Sequence, residues 1–262
     1  MRATTALLIS LAVPIRLAAQ TTAASEIRIA DSLPAALHPG EALRHYRAAL
    51  TLDSTNYEAL WKAARAAVDS AKQLDGDTLK GLRDSLYVEA RALAERAVRA
   101  NPNGAQGHSM IAQALGRLSR TRGGKERVRF AEIIYNEAER AIALDSTDDV
   151  AYHVLGAWHA EVKRLSGFTR FFAKRLFGAG FLDQASWDAA QRNLERAVAL
   201  KPQNIFHHLE LAEIYIDVGK YSRARDQLRI IHELPIADVL DHKHQARAAA
   251  LLERIENEKD KT

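Results

Sequence analysis

Apolar and polar residues alternate along this chain with the period of an α-helix, and the pattern recurs. Four stretches align when each is hung on the turn that follows it: residues 42–54, 90–102, 134–146 and 190–202, with a looser fifth at 224–236. Seven residues in, the column reads Ala49, Ala97, Ala141 and Ala197; the next reads Leu50, Val98, Ile142 and Val198; two further on it reads Leu52, Ala100, Leu144 and Leu200. Small and apolar residues at this spacing, just ahead of a Pro or Ser, describe helices buried on one face and stopped sharply. A second helix follows each turn. Its eighth position is Ala64, Ala112, Gly156 or Ala212, preceded by Ala63, Ile111, Leu155 or Leu211. A small residue there lets two antiparallel helices approach closely.

The unit resembles the tetratricopeptide repeat, a helix-turn-helix of about 34 residues with small residues at fixed places. The last unit matches best, through Leu211, Ala212, Tyr215, Gly219, Tyr221 and Ala224. The turn residues Ser54, Pro102, Ser146, Pro202 and Ile236 are spaced by 48, 44, 56 and 34. Three units therefore carry insertions, each placed between the two helices of a pair, on one edge of the stack, where repeat proteins tolerate extra residues. The predicted fold class is all-α, a tetratricopeptide-like α-solenoid of antiparallel helix pairs with insertions between paired helices. It forms a single domain over residues 25–256, with a helix at Lys243–Glu256 as a polar cap and residues 257–262 as a disordered tail.

Composition supports this and removes several chemistries. The chain has 48 alanines, and only 6% of its residues are aromatic, which suits helices and disfavours sheets. No cysteine is present, so disulfides, thiolate metal sites and cysteine nucleophiles are excluded. Met1-Arg2 is followed by the apolar run 6–15 and by Leu17-Ala18-Ala19-Gln20, with no acid before Glu26. Ten apolar residues are too few to span a bilayer but suit a secretory leader over residues 1–24, cut after Ala19 or Ala24. The reading is of an exported protein, in a bacterial periplasm, with a mitochondrial or leader-anchored location as the alternative. The formal charge of +4 falls to +2 once Arg2 and Arg16 leave with the leader, which argues against nucleic acid as a partner.

Residues 58–65 (GluAlaLeuTrpLysAlaAlaArg), the loop 124–128, Gly156-Ala157-Trp158-His159 with the segment 170–177, and residues 207–215 resemble the regulator of microtubule dynamics family in order and spacing. The resemblance covers about residues 50–255 and includes the irregular insertions. Gly167 departs from it, standing where an aromatic residue is expected before Phe168. It implies a helical-repeat scaffold without an established catalytic reaction; animal members are associated with microtubules and organelle contacts.

In such repeats the first helix of each pair lines the concave face. Those positions hold Trp61, Arg65, Ser109, Gln113, His153, Ala157, Leu209 and Glu213, which form the expected groove for a protein or peptide, with Trp61 and Arg65 as anchors. The longest insertion supplies the alternative, binding to a phospholipid or membrane surface. Phe168, Phe171, Phe172, Phe177 and Phe181 lie there among Arg164, Arg170, Lys174 and Arg175, as in a basic amphipathic helix. The competing reading folds these phenylalanines back to seal the groove. A third cluster, Arg117, Arg120, Arg122, Lys125, Arg127 and Arg129 around Gly123-Gly124, suits either an anion cradle or a solvated turn. It lacks the ending of a Walker loop. Histidine spacings such as His153 and His159, or His207-His208, do not suit a metal pair on one helix, so neither metal nor other cofactor is expected. Asp145, Thr147 and Asp149 read as a turn and helix cap, not as a calcium loop. No serine or threonine sits in a nucleophile elbow, and the carboxylates lie beside arginines, so the chain does not read as an enzyme.

Overall fold

The computed structural model describes residues 21–33 and 37–261, and of Phe172 the backbone alone. The expected leader lies in large part in its first twenty positions, with both arginines, outside the described residues. Twelve α-helices and no strand are found among the described residues. In chain order they are α1 (Ala23–Ser32), α2 (Pro39–Leu52), α3 (Tyr57–Lys72), α4 (Lys80–Ala100), α5 (Ala105–Ser119), α6 (Gly124–Leu144), α7 (Asp149–Arg164), α8 (Gly167–Phe177), α9 (Trp187–Leu200), α10 (Ile205–Asp217), α11 (Tyr221–Glu233) and α12 (Asp241–Ile255). A 3₁₀ turn, Gly180–Gln184, links α8 to α9.

Neighbouring helices pack pairwise along the chain, and α3, α5, α7 and α10 also touch one another in series. The fold is thus the expected all-α solenoid, with those four helices on its inner side and α4, α6, α9 and α11 outside. The alanine columns are the seams: Ala49, Ala97, Ala141, Ala197, Ala64, Ala112 and Ala212 are all fully buried. Gly156 has no space for more, since a Cβ would stand 2.6 Å from Leu194 Cδ2 and 3.1 Å from the Ala190 carbonyl oxygen. The third column is not core; Leu52 is exposed.

The turns explain themselves locally. Asp53, Asn101 and Asp145 end their helices in extended backbone, and each accepts a hydrogen bond from the amide two residues on. Asn56, Asp148 and Asn204 then cap the following helix. Thus Asp148, not Asp149, is the cap of α7, and Asp149 is left to bond elsewhere. A repeated histidine stitches the same joints. The turn carbonyls of Pro102 and Pro202 lie 3.1 and 2.9 Å from Nε2 of His108 and His208, six residues on.

The three insertions take different forms. The first two chiefly lengthen the outer helix: α4 and α6 have 21 residues where α2 and α9 have 14. Only the longest makes a separate element, α8, stopped by Gly178 at φ +67° in the left-handed region. The tail expected to be disordered instead folds back. Asp260 accepts a hydrogen bond from the Ser222 amide at 2.8 Å, and the Lys261 amide donates to the Gly219 carbonyl at 2.9 Å.

Candidate functional site

The superhelix curls until the α11–α12 connection meets the end of α3. Lys72, in the last turn of α3, reaches Asp69 at 2.7 Å and, across the mouth of the solenoid, Asp238 at 3.0 Å in the α11–α12 connection. Burial pulls the Lys72 ammonium down, but the two carboxylates outweigh it and hold its pKa above the ordinary value. Lys243 pairs with Asp75 at the rim. The concave face thus forms a partly open cavity of about 700 Å³.

One wall is apolar. Val128, Ala131, Val154, Trp158, Val162 and Leu165 come from α6, α7 and the residue after it, and α8 adds Phe168, Ala173 and Phe177. Trp158 is held there by donating its Nε1–H to the Ala131 carbonyl at 2.8 Å. The rest of the lining, taken as its floor, is mostly polar and includes Arg65, Asp69, Lys72, Gln113, Arg117, Arg120, Asp149, His153, Lys201, His207, Glu210, Asp241 and His244.

A histidine relay crosses the floor. His207 Nε2 lies 2.8 Å from Asp149 Oδ2, and its Nδ1 lies 2.9 Å from Nδ1 of His153. A carboxylate can only accept, so His207 donates from Nε2 and its Nδ1 accepts from His153. Burial drives His153 well below the usual histidine pKa; for His207, burial outweighs the opposing pull of Asp149. Both rings are therefore neutral at physiological pH. Phe206 sits centrally, 4.6 Å from the His153 ring, stacked 4.7 Å from His244, and with the Arg117 guanidinium over its face at 5.4 Å. Among the described residues, no three histidine or carboxylate groups converge as a metal site.

The structure divides the expected groove residues. Arg65, Gln113, His153 and Ala157 share the cavity. Glu213 lines an adjoining cleft and is paired with Arg247 at 2.7 Å. Ser109 is buried and donates to Asp148 at 2.5 Å, tying α5 to the cap of α7, so it presents nothing to a ligand. Leu209 is buried in the core shared by α10 and its neighbours. Trp61 packs half-buried against the core, outside the cavity lining, one turn from Arg65 on α3.

The insertion rims the cavity instead of sealing it. Phe168 and Phe177 line it while remaining 73% and 42% exposed; Phe171 is 59% exposed. Phe181 turns inward, 6.3 Å from Trp158. The side chain of Phe172 lies outside the described residues. Lys174 is paired with Asp183 at 2.6 Å, whereas Arg175 is exposed and Arg170 half-buried. Sequence reasoning missed the His153–His207 pair and the closure through Lys72 and Asp238, both made by residues distant in the chain.

A sequence model of the family described as "Regulator of microtubule dynamics protein 1-3" matches residues 27–256. Regulator of microtubule dynamics protein 1 of Bos taurus is 29% identical over 201 residues, covering 76% of this chain and 62% of that protein. Regulator of microtubule dynamics protein 3 of Rattus norvegicus is 28% identical over 177 residues, covering 67% and 36%. The chain thus spans less than two thirds of the length of these relatives. A solved structure of a thermophilic tetratricopeptide-repeat protein from Thermus thermophilus superposes with a TM-score of 0.62 at 20% identity, covering 88% of this chain and 99% of that one. That likeness concerns the fold.

Proposed function

The chain belongs to the regulator of microtubule dynamics family, and on that premise we propose that it is a non-catalytic helical-repeat scaffold holding a protein or peptide partner in its concave cavity. The observation that carries this reading is the inner stack of α3, α5, α7 and α10 opening on a cavity of about 700 Å³ with Arg65, Gln113 and Ala157 on its walls. A cavity of that size, apolar on one side with a few convergent polar groups, is the usual form of a binding site. Capture of a partner from the native host, repeated with Trp61→Ala and Arg65→Glu, tests it. Loss with Arg65→Glu supports the cavity; capture indifferent to both substitutions overturns it.

A second reading rests on α8. Its exposed Phe168 and Phe171 stand beside Arg170 and Arg175, the chemistry of a helix lying on an anionic bilayer. Flotation with phosphatidylglycerol vesicles, lost in Phe168→Asp/Phe171→Asp, would support it; no flotation of the wild type would remove it. The same account takes residues 1–24 as a leader and the protein as exported. N-terminal sequencing of the mature chain checks this, and a mature protein that still begins at Met1 overturns it.

A further inference from the structure

The charges around the cavity do not cancel locally. Nearly every acid on its wall already has a partner within the protein. Asp69 and Asp238 hold Lys72, Asp149 accepts from His207, Glu161 pairs with Arg164 at 2.9 Å, and Asp241 accepts from the amides of Ala237 and Asp238. Most of the cations stand otherwise. Among the described residues, Lys72 is paired, whereas Arg65, Arg117, Arg120, Arg127 and Lys201 make no side-chain hydrogen bond or ion pair; Arg117 has the face of Phe206. Of these unpaired cations, Arg117 and Arg120 also border the adjoining cleft. They lie one helical turn apart at the end of α5 and line both the main cavity and the cleft beside it. Burial and the neighbouring Arg120 push the Arg117 pKa down, so its charge sits at a disfavoured place.

Two further polar atoms at this spot lack partners. Gln113 Oε1, one turn before Arg117, and His244 Nδ1, whose nearest carboxylate oxygen, on Asp241, is 3.7 Å away, are buried without a hydrogen bond. A buried polar group left unpaired is costly, and two such atoms beside the partly buried Arg117, with the more exposed Arg120 next to it, describe a site shaped for something else.

We propose that Arg117 and Arg120 form a carboxylate-binding site on the cavity floor, taking an amphipathic carboxylate whose apolar part lies along Trp158, Val154 and Val162. Arginine forks hold a carboxylate through paired, charge-assisted hydrogen bonds. The Gln113 amide, turned, donates to the same group. A single negative charge fits better than a doubly charged phosphate, because Asp69, Asp149, Asp238 and Asp241 stand on the same walls. Glu210, which also lines the floor, is kept up to about 7 by burial and by Glu213, so near neutral pH it can donate a proton to the ligand oxygen instead of repelling it. The inference rests on the cavity floor and on neither reading of the partner, so it succeeds or fails separately from them.

Such a carboxylate could end a fatty acyl chain or a peptide. Tryptophan fluorescence of the full chain, titrated with decanoate against decanol, and with a hexapeptide ending in Ala-Leu against its C-terminal amide, tests the site and separates the sources. Saturable binding of at least one carboxylate probe is expected, tenfold or more tighter than its neutral counterpart. Arg117→Gln and Arg120→Gln should each weaken it about tenfold, with Arg117→Lys between them and wild type. Thermal melts of all variants should coincide with the wild type; should Arg117→Gln unfold, Arg120→Gln, at an exposed position, carries the test. Equal binding of neutral and charged probes, binding unchanged in both Gln variants, or no binding of either carboxylate at millimolar concentration would overturn the proposal.

Discussion

The seams between paired helices and the inner face of the solenoid are built on opposite principles. In the seams, alanines are fully buried and Gly156 leaves no room for a methyl group. The inner face buries histidines and carboxylates, lines a cavity with arginines and leaves polar atoms unpaired. Close packing of small apolar groups yields stability, whereas buried charge reduces it unless something is gained in exchange. The proposed function lies on the inner face, and each of the following substitutions acts on one side of the contrast.

The largest effect should come from the closure. Lys72→Ala removes the cation that holds Asp69, which is 6% exposed, and cuts the bridge to Asp238. Breaking a buried pair on one side costs about 3 kcal/mol, or roughly 10 °C in Tm for a chain of this length. A melt within about 2 °C of wild type would show that the inner charges do not hold the superhelix shut. Gly156→Val should come next, as a pure seam defect. The side chain meets Leu194 and the α9 backbone, an overpacking cost of about 2 kcal/mol. Ligand binding by the folded fraction should be intact, and its loss would mean that seam and cavity are not separable.

The smaller effects concern pH and have opposite signs. Glu210 has its pKa raised to about 7 in the fold against 4.5 when unfolded. The unfolded chain gives up this proton first, so the contribution to stability is lost as pH rises from 4.5 through 7. Glu210→Gln should therefore stabilise the protein above the folded pKa and leave it nearly unchanged below the unfolded one, as denaturant titrations at about pH 8 and about pH 4 would show. His159 behaves in reverse. Burial, with Arg192, pulls it to about 4 from 6.5, so the fold keeps it neutral and its contribution is lost as pH falls from 6.5 towards 4. It packs edge-on to Trp158 and Tyr135 with Nδ1 unpaired, so His159→Phe should flatten the acid limb of the stability curve. An unchanged acid limb would exclude His159 as a source of it.

The seams were legible because a helix period records them locally: Ala49 and Ala97 recur in register whatever the loops do. The fold class followed from that register. The inner face was legible only in part. Arg65, Gln113, His153 and Ala157 came from repeat positions and do share the cavity, but the same rule also nominated Ser109 and Leu209, which are buried, Ser109 on the cap of α7 and Leu209 in the core around α10. His153 and His207 stand 54 residues apart, and Lys72 and Asp238 stand 166 apart. No local pattern links such pairs; only the curl of the stack brings them together. The basic cluster at 117–129 was visible, but its division was not: Arg122 pairs with Asp84 at 3.1 Å, while Arg117 and Arg120 face the cavity.

The central claim is that partners enter from the concave side. Photo-crosslinking reads this directly, with a photoreactive residue placed at Gln113, inside the cavity, or at the exposed Arg99 on α4. The account predicts adducts from position 113 that disappear in Arg65→Glu, and none from position 99. Adducts from position 99 alone, or adducts from 113 that persist with Arg65→Glu, would contradict it.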